Sequence, residues 1–563
     1  MTRTIRALKG GAAVACALAF AACAASSSAD YGGDPGATGT AGTTGAAGTA
    51  SAQGNFDGGA ITGAAGTGAP LPAEQEVDSS FEVPVATGRF VWVANPTSGR
   101  VAYVDAAGLT VRTVEAGNGP TYLAAVPGAA DAVIVLNVLS NDATFLRVTG
   151  ATLESETYAN LAAGSNSWAV SPDGRFAIAW TDARRLPAAP KTRGFHEVTI
   201  LDLTAPPSAA AAVTIAVGYR PVSFAFAADS KRAFAVTEDG VSVIALPERT
   251  IVATVPLGDH GVTDFADTRD VSITADGRLA VVRRDGSAEL AFVELATGAR
   301  STVAMAAPVT DVDVSGDGAV AVAVARDAAE VAVVPLAGTL TSAAVSRLNV
   351  AGETIGQVTI TASGKTALLY SNAVAAERLT VLTLDGVPAT RAVKLHGSVL
   401  SALPTADGKF AVVLHPSEPP APVAAGAGGG ADAGTTAPPP TPLANAFSLV
   451  ALDGTRPARI EMTDAPLRAI ALAPSSDRVL LTVRDDARKV YGVYLGHLPA
   501  LSVERYALAS PPLATGVLAG ANRGYVAQQH PEGRITFLTL DSGEARTLTG
   551  YELGARVVDW SSR

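Results

Sequence analysis

Residues 171–180 read Ser-Pro-Asp-Gly-Arg-Phe-Ala-Ile-Ala-Trp, a tight turn followed at once by an apolar run. An Asp-Gly pair supplies the positive φ that a short β-turn needs, and the run after it is typical of a buried strand. Equivalent turns, some with other residues in place of the Asp-Gly pair, lie at 87–88, 129–130, 229–230, 276–277, 317–318, 363–364, 407–408, 475–477 and 521–522. From turn to turn the unit is roughly 44 residues long, and it returns ten times between Gly88 and Arg563.

Repeats of this length are the signature of β-propeller blades. Many strands are apolar at consecutive positions, as in 319–325, which indicates sheets covered on both faces. Blades that stand around one axis cover each other in this way. The sequence therefore predicts an all-β fold, a β-propeller of about ten four-stranded antiparallel blades in a single ring. A seven- or eight-bladed ring and two five-bladed rings are the alternatives, and a sandwich or solenoid would also show short strands with turns.

The first and last repeats indicate how the ring closes. The first repeat begins just after the position of an innermost strand, so that strand has to come from elsewhere in the chain. We expect Val557–Trp560 to supply it, because closure removes free sheet edges. The segment Phe81–Val85 is the alternative.

The N-terminus has the features of an export signal. Arg3, Arg6 and Lys9 precede an uncharged apolar run over 10–22, which is too short to span a bilayer and typical of a signal peptide. The run ends in Phe-Ala-Ala-Cys at 20–23, which resembles a bacterial lipobox, although Phe replaces the usual Leu. The resemblance implies removal of 1–22 and acylation of Cys23, with sorting to the outer membrane because no Asp follows the cysteine. The alternatives are Cys16 as the acylated residue, or a secreted protein that loses Cys23 with its signal peptide.

The positions of the cysteines, the net charge and the composition further limit the class of protein that this chain can be. Both cysteines lie within the first 23 residues, so the rest of the chain can form no disulfide and no Cys-ligated metal site. Residues 23–80 are rich in Gly, Ala, Thr and Ser and are predicted to form a disordered tether before a propeller over 81–563. The net charge of −11 and the lack of a basic stripe argue against nucleic acid. We expect a monomer of the cell envelope that contacts the membrane through its acylated N-terminus.

Two repeats carry insertions between their second and third strands, at 182–197 and 416–444. Loops at that position emerge on the same face as the connections between blades, so this face is the predicted recognition face. The first insertion holds a basic cluster, and the connection over 258–264 is also elongated. The candidate ligand- or partner-binding residues are Arg184, Arg185, Arg193, His196, Asp259, His260 and Asp264. A solvated loop is the alternative for both segments. The second insertion is rich in Gly, Ala and Pro and is predicted to be disordered.

A family resemblance agrees with this architecture. Residues 93–105 read Val-Ala-Asn-Pro-Thr-Ser-Gly-Arg-Val-Ala-Tyr-Val-Asp and resemble the YVTN family of β-propeller repeats, and 171–174 resemble its turn. The resemblance covers Gly88 to Arg563, but the matching residues are structural. The same broad group includes surface proteins, lactonase-like enzymes and cofactor-dependent dehydrogenases.

No constellation commits the chain to a reaction. The predicted inner strands offer Asp313 and Asp559 and few other titratable groups, and none of the six histidines forms a ligand pair. There is no Gly-x-Ser-x-Gly motif and no phosphate-binding loop. We therefore assign no catalytic residue, cofactor or metal, and expect a lipid-anchored envelope scaffold that binds a protein or glycan through its loop-rich face. The alternative is a metal-dependent lactonase or hydrolase that acts in the central channel.

Overall fold

The computed structural model describes residues 84–186, 193–258, 269–338, 344–350, 352–416 and 445–554. Strands in these ranges form ten separate four-stranded antiparallel sheets that stand as ten blades in one ring. In each blade the strands pair in chain order, from an inner first strand to an outer fourth strand. The predicted all-β propeller with ten blades in a single ring is confirmed, and the smaller rings and the paired rings are excluded.

The first five blades are built from β1 Val85–Ala86, β2 Phe90–Asn95, β3 Arg100–Asp105, β4 Thr110–Glu115; β5 Pro120–Ala125, β6 Ala132–Asn137, β7 Asp142–Thr149, β8 Thr152–Tyr158; β9 Ser167–Val170, β10 Phe176–Trp180, β11 Glu197–Asp202, β12 Ala212–Ala216; β13 Pro221–Phe226, β14 Arg232–Thr237, β15 Gly240–Ala245, β16 Thr250–Val255; β17 Arg269–Ile273, β18 Leu279–Arg284, β19 Glu289–Glu294, β20 Arg300–Ala304.

The other five are built from β21 Asp311–Val314, β22 Val320–Ala325, β23 Glu330–Pro335, β24 Ser346–Asn349; β25 Gln357–Ile360, β26 Thr366–Tyr370, β27 Arg378–Thr383, β28 Ala389–Lys394; β29 Ser401–Pro404, β30 Phe410–His415, β31 Ala446–Ala451, β32 Arg459–Met462; β33 Leu467–Leu472, β34 Arg478–Asp485, β35 Val490–His497, β36 Ser502–Ala507; β37 Pro512–Leu518, β38 Arg523–Gln528, β39 Arg534–Thr539, β40 Ala545–Thr549. Short 3-10 turns lie at Ala183–Arg185, Arg326–Ala328, Ala519–Ala521 and Tyr551–Leu553.

The hydrophobic core lies between the blades. The second and third strands bury side chains on both faces, and β10 is buried along its whole length. Phe176 and Ile200 of the third blade pack against Phe224 and Ile244 of the fourth, and similar clusters fill the other seams. The outer strands are largely exposed, as in β4. Consecutive apolar residues therefore mark strands that are covered by a blade on each side.

The recurring turn motif has a local physical cause. The Ser171 hydroxyl donates to the Asp173 carboxylate (2.6 Å) and accepts from the Phe176 N–H (2.9 Å), while Asp173 also accepts from the Arg175 N–H (3.0 Å). Thr274 and Thr405 repeat the contact with the aspartate two residues later. Gly174 has φ of 70°, and a Cβ there would collide with the Pro127 carbonyl of the preceding blade. The glycine thus serves both the turn and the close approach of two blades.

The prediction that Val557–Trp560 supplies the inner strand of the first blade is wrong. Val85–Ala86 takes that place and pairs with Trp92 and Val91. The observed strand overlaps the N-terminal alternative, 81–85, at Val85, and 555–563 lie outside the described residues. A strand of two residues is too short to leave a periodic pattern, so the sequence could not decide between the two segments.

The ring is closed by packing between the tenth and first blades. The Tyr525 hydroxyl donates to the Pro84 carbonyl (2.7 Å), and the Gly520 N–H donates to the Gly88 carbonyl (3.1 Å). Around Tyr525, apolar side chains of both blades form one buried cluster that also takes in Leu553. Each of the two blades keeps its four strands from one continuous stretch of chain. Side-chain burial therefore carries the closure, as it does at the other seams.

The N-terminal predictions concern residues that the structure does not describe. The signal peptide over 1–22, the tether over 23–80, and 417–444 of the second insertion all lie outside the described ranges. In the described part, no helix combines the length and the apolar character that crossing a bilayer would need.

Candidate recognition face

The antiparallel order of each blade defines two faces. First-to-second and third-to-fourth connections lie on one side, which we call the tight-turn face. Second-to-third connections and the links between blades lie on the other side, which we call the loop-rich face. The first-to-second turns are short in every blade, as the sequence predicts. The β10–β11 and β30–β31 connections are the insertions, and both belong to the loop-rich face.

The first half of the β10–β11 loop is pinned to its own and the neighbouring blades. Asp182 is buried, and its carboxylate accepts from the Arg184 N–H (2.9 Å) and from the Arg184 guanidinium (2.9 and 2.7 Å). The same guanidinium donates to the Val222 carbonyl (2.6 Å) in β13 of the next blade. Arg185 donates to the Asn166 carbonyl (3.2 Å). Arg184 therefore holds the loop across a blade seam and Arg185 holds it to its own blade, structural roles that sequence reasoning did not assign to them.

The second half of the loop packs on the link between the third and fourth blades. The Arg193 guanidinium lies 5.0 Å from the centre of the Phe195 ring, and the Arg220 guanidinium lies 6.0 Å from the same centre. Arg220 also lies 5.6 Å from the Tyr219 ring and donates from Nε to the Arg193 carbonyl (3.2 Å). His196 is exposed beside this group. We call Arg193, Phe195, Tyr219 and Arg220 the arginine–aromatic corner.

Two residues of the corner have unusual backbone conformations. Phe195 has φ of 47° and Arg220 has φ of 48°, the left-handed region that non-glycine residues seldom adopt. Most other positive-φ residues with a side chain sit in tight hairpin turns, such as Leu109 and Lys489. Phe195 and Arg220 instead lie on two segments that are joined by a backbone hydrogen bond, in which the Arg220 N–H donates to the Gly194 carbonyl (2.8 Å). Strained residues that the surrounding structure holds in place cluster at ligand-binding sites.

The remaining predicted site residues lie outside the part of the chain that the structure describes. Asp259, His260 and Asp264 fall in 259–268, and Cys23 falls in the N-terminal region, all outside the described residues. The structure thus gathers Arg184, Arg185, Arg193 and His196 in one loop but divides their roles. Arg220 and Tyr219 belong to the same corner and were missed, because they come from the next link in the chain. Their signal was the Tyr-Arg pair at the start of a blade.

The inner strands carry more charge than the sequence analysis expected. β17 begins at Arg269 and β21 begins at Asp311, so Arg269, Asp270 and Asp311 lie on inner strands together with Asp313. Arg283 donates to Asp270 (2.6 Å), while Arg269 donates to the Thr237 carbonyl (2.6 Å). Asp313 itself is buried and bound to backbone N–H groups. These charges therefore serve contacts within and between blades.

A histidine–serine pair at the base of the second insertion was also missed. His415 ends β30, is 4% exposed, and contacts the Ser398 carbonyl through Nδ1 (2.6 Å) and the Ser448 hydroxyl through Nε2 (2.7 Å). Because a carbonyl only accepts, Nδ1 carries the proton and Nε2 accepts from Ser448. Ser448 is 0% exposed, so its hydroxyl cannot reach a substrate. The pair is a buried structural contact, and burial lowers the pKa of the imidazole below its ordinary 6.5.

The depressed pKa of His415 predicts how stability depends on pH. Below pH 6.5 the unfolded chain binds a proton at this residue, whereas the folded chain does so only at lower pH. The free energy of unfolding should therefore be fully retained above pH 6.5 and fall as the pH drops toward the folded pKa. The limiting slope is about 1.4 kcal/mol per pH unit. Urea titrations across this window measure it, and His415→Gln should show a smaller slope; equal slopes would contradict the assignment.

No group of three or more His, Cys, Asp or Glu is placed to hold a metal ion in the ranges that the structure describes. No family model matches the sequence, and no curated protein matches it either.

Comparison with solved structures gives matches of low similarity. A structure titled as a eukaryotic initiation factor matches at 10% identity, covers 83% of this chain and 97% of its own, and has a TM-score of 0.42. The dihydro-heme d1 dehydrogenase NirN matches at 15% identity over 69% of this chain and 76% of its own, with a TM-score of 0.39. Hydrazine synthase of Kuenenia stuttgartiensis matches at 16% identity over 53% and 92%, with a TM-score of 0.31. At these identities and TM-scores the three matches carry no conclusion about this chain.

Proposed function

We propose that this chain is a lipid-anchored binding scaffold of the bacterial cell envelope, built on YVTN-like repeats, that holds a protein or glycan partner on its loop-rich face. The single observation that carries the proposal is the arginine–aromatic corner. The β10–β11 loop that carries part of the corner is held in place by Arg184. The corner itself places two guanidinium groups on a strained, preorganised backbone. Preorganised loops on a rigid fold are the usual way in which such scaffolds bind.

The direction of β1 supports an orientation for the anchored molecule. β1 runs toward the turn at 87–89 on the tight-turn face, so the N-terminal end of the described chain points to the loop-rich side. A tether that joins Cys23 to this end would attach the propeller to the membrane from that side. Over roughly 60 residues a flexible Gly-rich chain spans on the order of 40 Å. The loop-rich face then works close to the membrane, within reach of other envelope components.

The anchor and the face can be tested separately in the same cells. Cys23→Ser should move the protein from the membrane fraction to the soluble envelope fraction, and mass spectrometry of the native N-terminal peptide should show acylation at Cys23. Native protein found unacylated, or equally membrane-bound without Cys23, would refute the anchor. Elemental analysis of the purified protein tests the alternative of a metal-dependent lactonase or hydrolase, since it requires a stoichiometric metal.

The recognition face is tested by exchanging loop segments. Replacing 187–192 with Gly and Ser of equal length, while keeping Asp182 and Arg184, should abolish crosslinking of the anchored protein to its envelope partners. The matched control replaces 205–210, six mostly exposed residues in the β11–β12 connection on the tight-turn face of the same blade, and should leave crosslinking unchanged. If both variants crosslink to the same partners as the native protein, the loop-rich face is not the binding surface.

A further inference from the structure

The outer strands of the blades differ in how well their free edges are protected. Within the described residues, the fourth strand of each blade pairs on one side only, and such an edge can accept a strand from another chain. Charged side chains and bulges normally prevent this. The outer strands β4, β8, β20, β24, β28, β32, β36 and β40 each carry at least one charged residue. The outer strands of the third and fourth blades, β12 and β16, carry none.

Of these two uncharged strands, β16 is protected by its geometry. Its register with β15 shifts between Val243 and Ile244, which leaves Val252 out of the ladder and 60% exposed. β12 pairs with β11 without such a shift, and its Thr214 and Ala216 are exposed. Among the ten outer strands that the structure describes, β12 thus combines a regular ladder with an uncharged edge, which suits it to accept another strand.

The backbone of β12 shows which of its groups lie on the free edge. The Val217 N–H, directly after the strand, donates to the His196 carbonyl (2.9 Å), directly before β11. Because alternate residues of an antiparallel strand face the partner, the odd-numbered residues of β12 bind β11. The N–H and C=O groups that point away from the blade are therefore those of Ala212, Thr214 and Ala216.

The sequence of β12 is complementary to itself in an antiparallel pairing. Residues 212–216 read Ala-Val-Thr-Ile-Ala, so the chemistry of the strand is the same in both directions from Thr214. A twofold axis through Thr214 places alanine opposite alanine, valine opposite isoleucine, and threonine opposite its own copy. The residue pairs that exchange hydrogen bonds are then those whose groups point outward. Pairs of β-branched residues and of threonines stabilise such a contact.

We propose that this chain forms a homodimer in which the outer edges of two β12 strands pair antiparallel and join the third blades of two copies into one sheet. The dimer replaces the monomer that we expect from the sequence, and it goes beyond the proposed scaffold function without depending on it. Two copies with a net charge of −11 repel each other, so their contact is favoured where neither contributes a charge. A twofold contact also closes on itself and stops at two copies.

The pairing has a consequence for the recognition faces. Antiparallel strands reverse one ring relative to the other, so the loop-rich faces of the two copies point to opposite sides. In the orientation proposed for the anchored chain, one loop-rich face lies toward the membrane and the other away from it. A tether that spans on the order of 40 Å exceeds the roughly 20 Å length of a six-residue strand, so both copies can remain anchored.

A cysteine placed on the twofold axis tests the geometry of the contact. Partners in a hydrogen-bonded antiparallel pair lie about 5.5 Å apart at Cα, which a disulfide can span. In the full chain with both native cysteines replaced by serine, Thr214→Cys should form a covalent dimer under mild oxidation. The matched control is Thr254→Cys, at an exposed threonine of β16, which should stay monomeric on a non-reducing gel. Equal crosslinking at the two positions, or none at 214, overturns the inference.

Sedimentation equilibrium of the same cysteine-free chain measures the strength of the dimer. Its affinity should rise as salt is added, because the net charge of the two copies is screened. Thr214→Lys sets two like charges opposite each other and should weaken dimerisation by about tenfold or more. Thr254→Lys adds the same charge to β16 and should dimerise like the unsubstituted chain. An equimolar mixture of Thr214→Lys and Thr214→Glu should dimerise again, since opposite charges then meet.

Thermal melts show that each variant is folded. A chain that stays monomeric at about 100 μM overturns the inference, as does undiminished dimerisation of folded Thr214→Lys. Envelope partners that crosslink to a monomeric chain through 187–192 would leave the scaffold function standing and reject the dimer alone.

Discussion

Replacing Asp311 or Asp313 with alanine is expected to lower the free energy of unfolding by about 2–4 kcal/mol for each residue. Both carboxylates are almost fully buried in β21, at 1% and 2% exposure. The Asp311 carboxylate accepts from the Val358 N–H (2.7 Å), and the Asp313 carboxylate accepts from the Ile360 N–H (2.7 Å). Two side chains of the sixth blade thus bind two backbone groups of β25 in the seventh.

The spacing of the pairs explains why aspartates occur at alternate positions. In β25, the ladder to β26 uses the N–H groups of odd-numbered residues, so those of Val358 and Ile360 point away from their own blade. Each carboxylate also accepts from the residue after it, Val312 (2.8 Å) or Val314 (3.0 Å). Alanine would leave buried N–H donors without these acceptors, which costs about 1–3 kcal/mol for each donor. Relief of carboxylate desolvation offsets part of that cost.

Denaturant unfolding of single variants measures the effect. Asp311→Asn and Asp313→Asn keep one acceptor oxygen each and should fall between the alanine variants and the native protein. Asp385→Ala removes an exposed aspartate paired with Lys365 (3.4 Å) and should leave stability unchanged. Unfolding midpoints that are the same for Asp313→Ala and Asp385→Ala would show that the carboxylates do not hold the two blades together.

The fold was predictable because its determinants are local and repeated. The hydroxyl–aspartate–glycine turn recurs with the same contacts at Ser171, Thr274 and Thr405, so its spacing marks the blades. Burial between blades produces the consecutive apolar strands that the sequence shows. Blade number followed from counting turns, since each blade carries one first-to-second turn.

The candidate site was predictable only in part, because it depends on contacts between distant segments. The basic loop was found from its composition, but Arg184 and Arg193 have the same chemistry in the sequence and different roles in the fold. Arg220 joins the corner from the next blade. Asp313 was predicted to be a titratable group of the channel, and its partner Ile360 lies 47 residues away. Only the three-dimensional structure shows that this carboxylate binds a backbone N–H group of the neighbouring blade.

The seam between the tenth and first blades should be as sensitive to cavity formation as any other part of the ring. Tyr525 is 0% exposed, its hydroxyl binds the Pro84 carbonyl, and burial raises the pKa of its phenol, which keeps the donating proton in place. Tyr525→Ala should lower the free energy of unfolding by about 3–5 kcal/mol, because a large buried side chain is removed. Tyr525→Phe should cost about 1 kcal/mol, the value of one buried hydrogen bond.

A substitution of similar size in another blade distinguishes a loss of ring closure from a general loss of core packing. Phe292→Ala removes a fully buried aromatic ring from the fifth blade and should destabilise the protein by a similar amount. Hydrogen exchange should then differ between the two variants. Tyr525→Ala should accelerate exchange in β1–β4 and β37–β40, because the buried contacts of Tyr525 join these two blades. Phe292→Ala should leave those strands protected. If both variants expose the first blade equally, closure does not depend on the contact between Tyr525 and Pro84, and the whole ring opens as one cooperative unit.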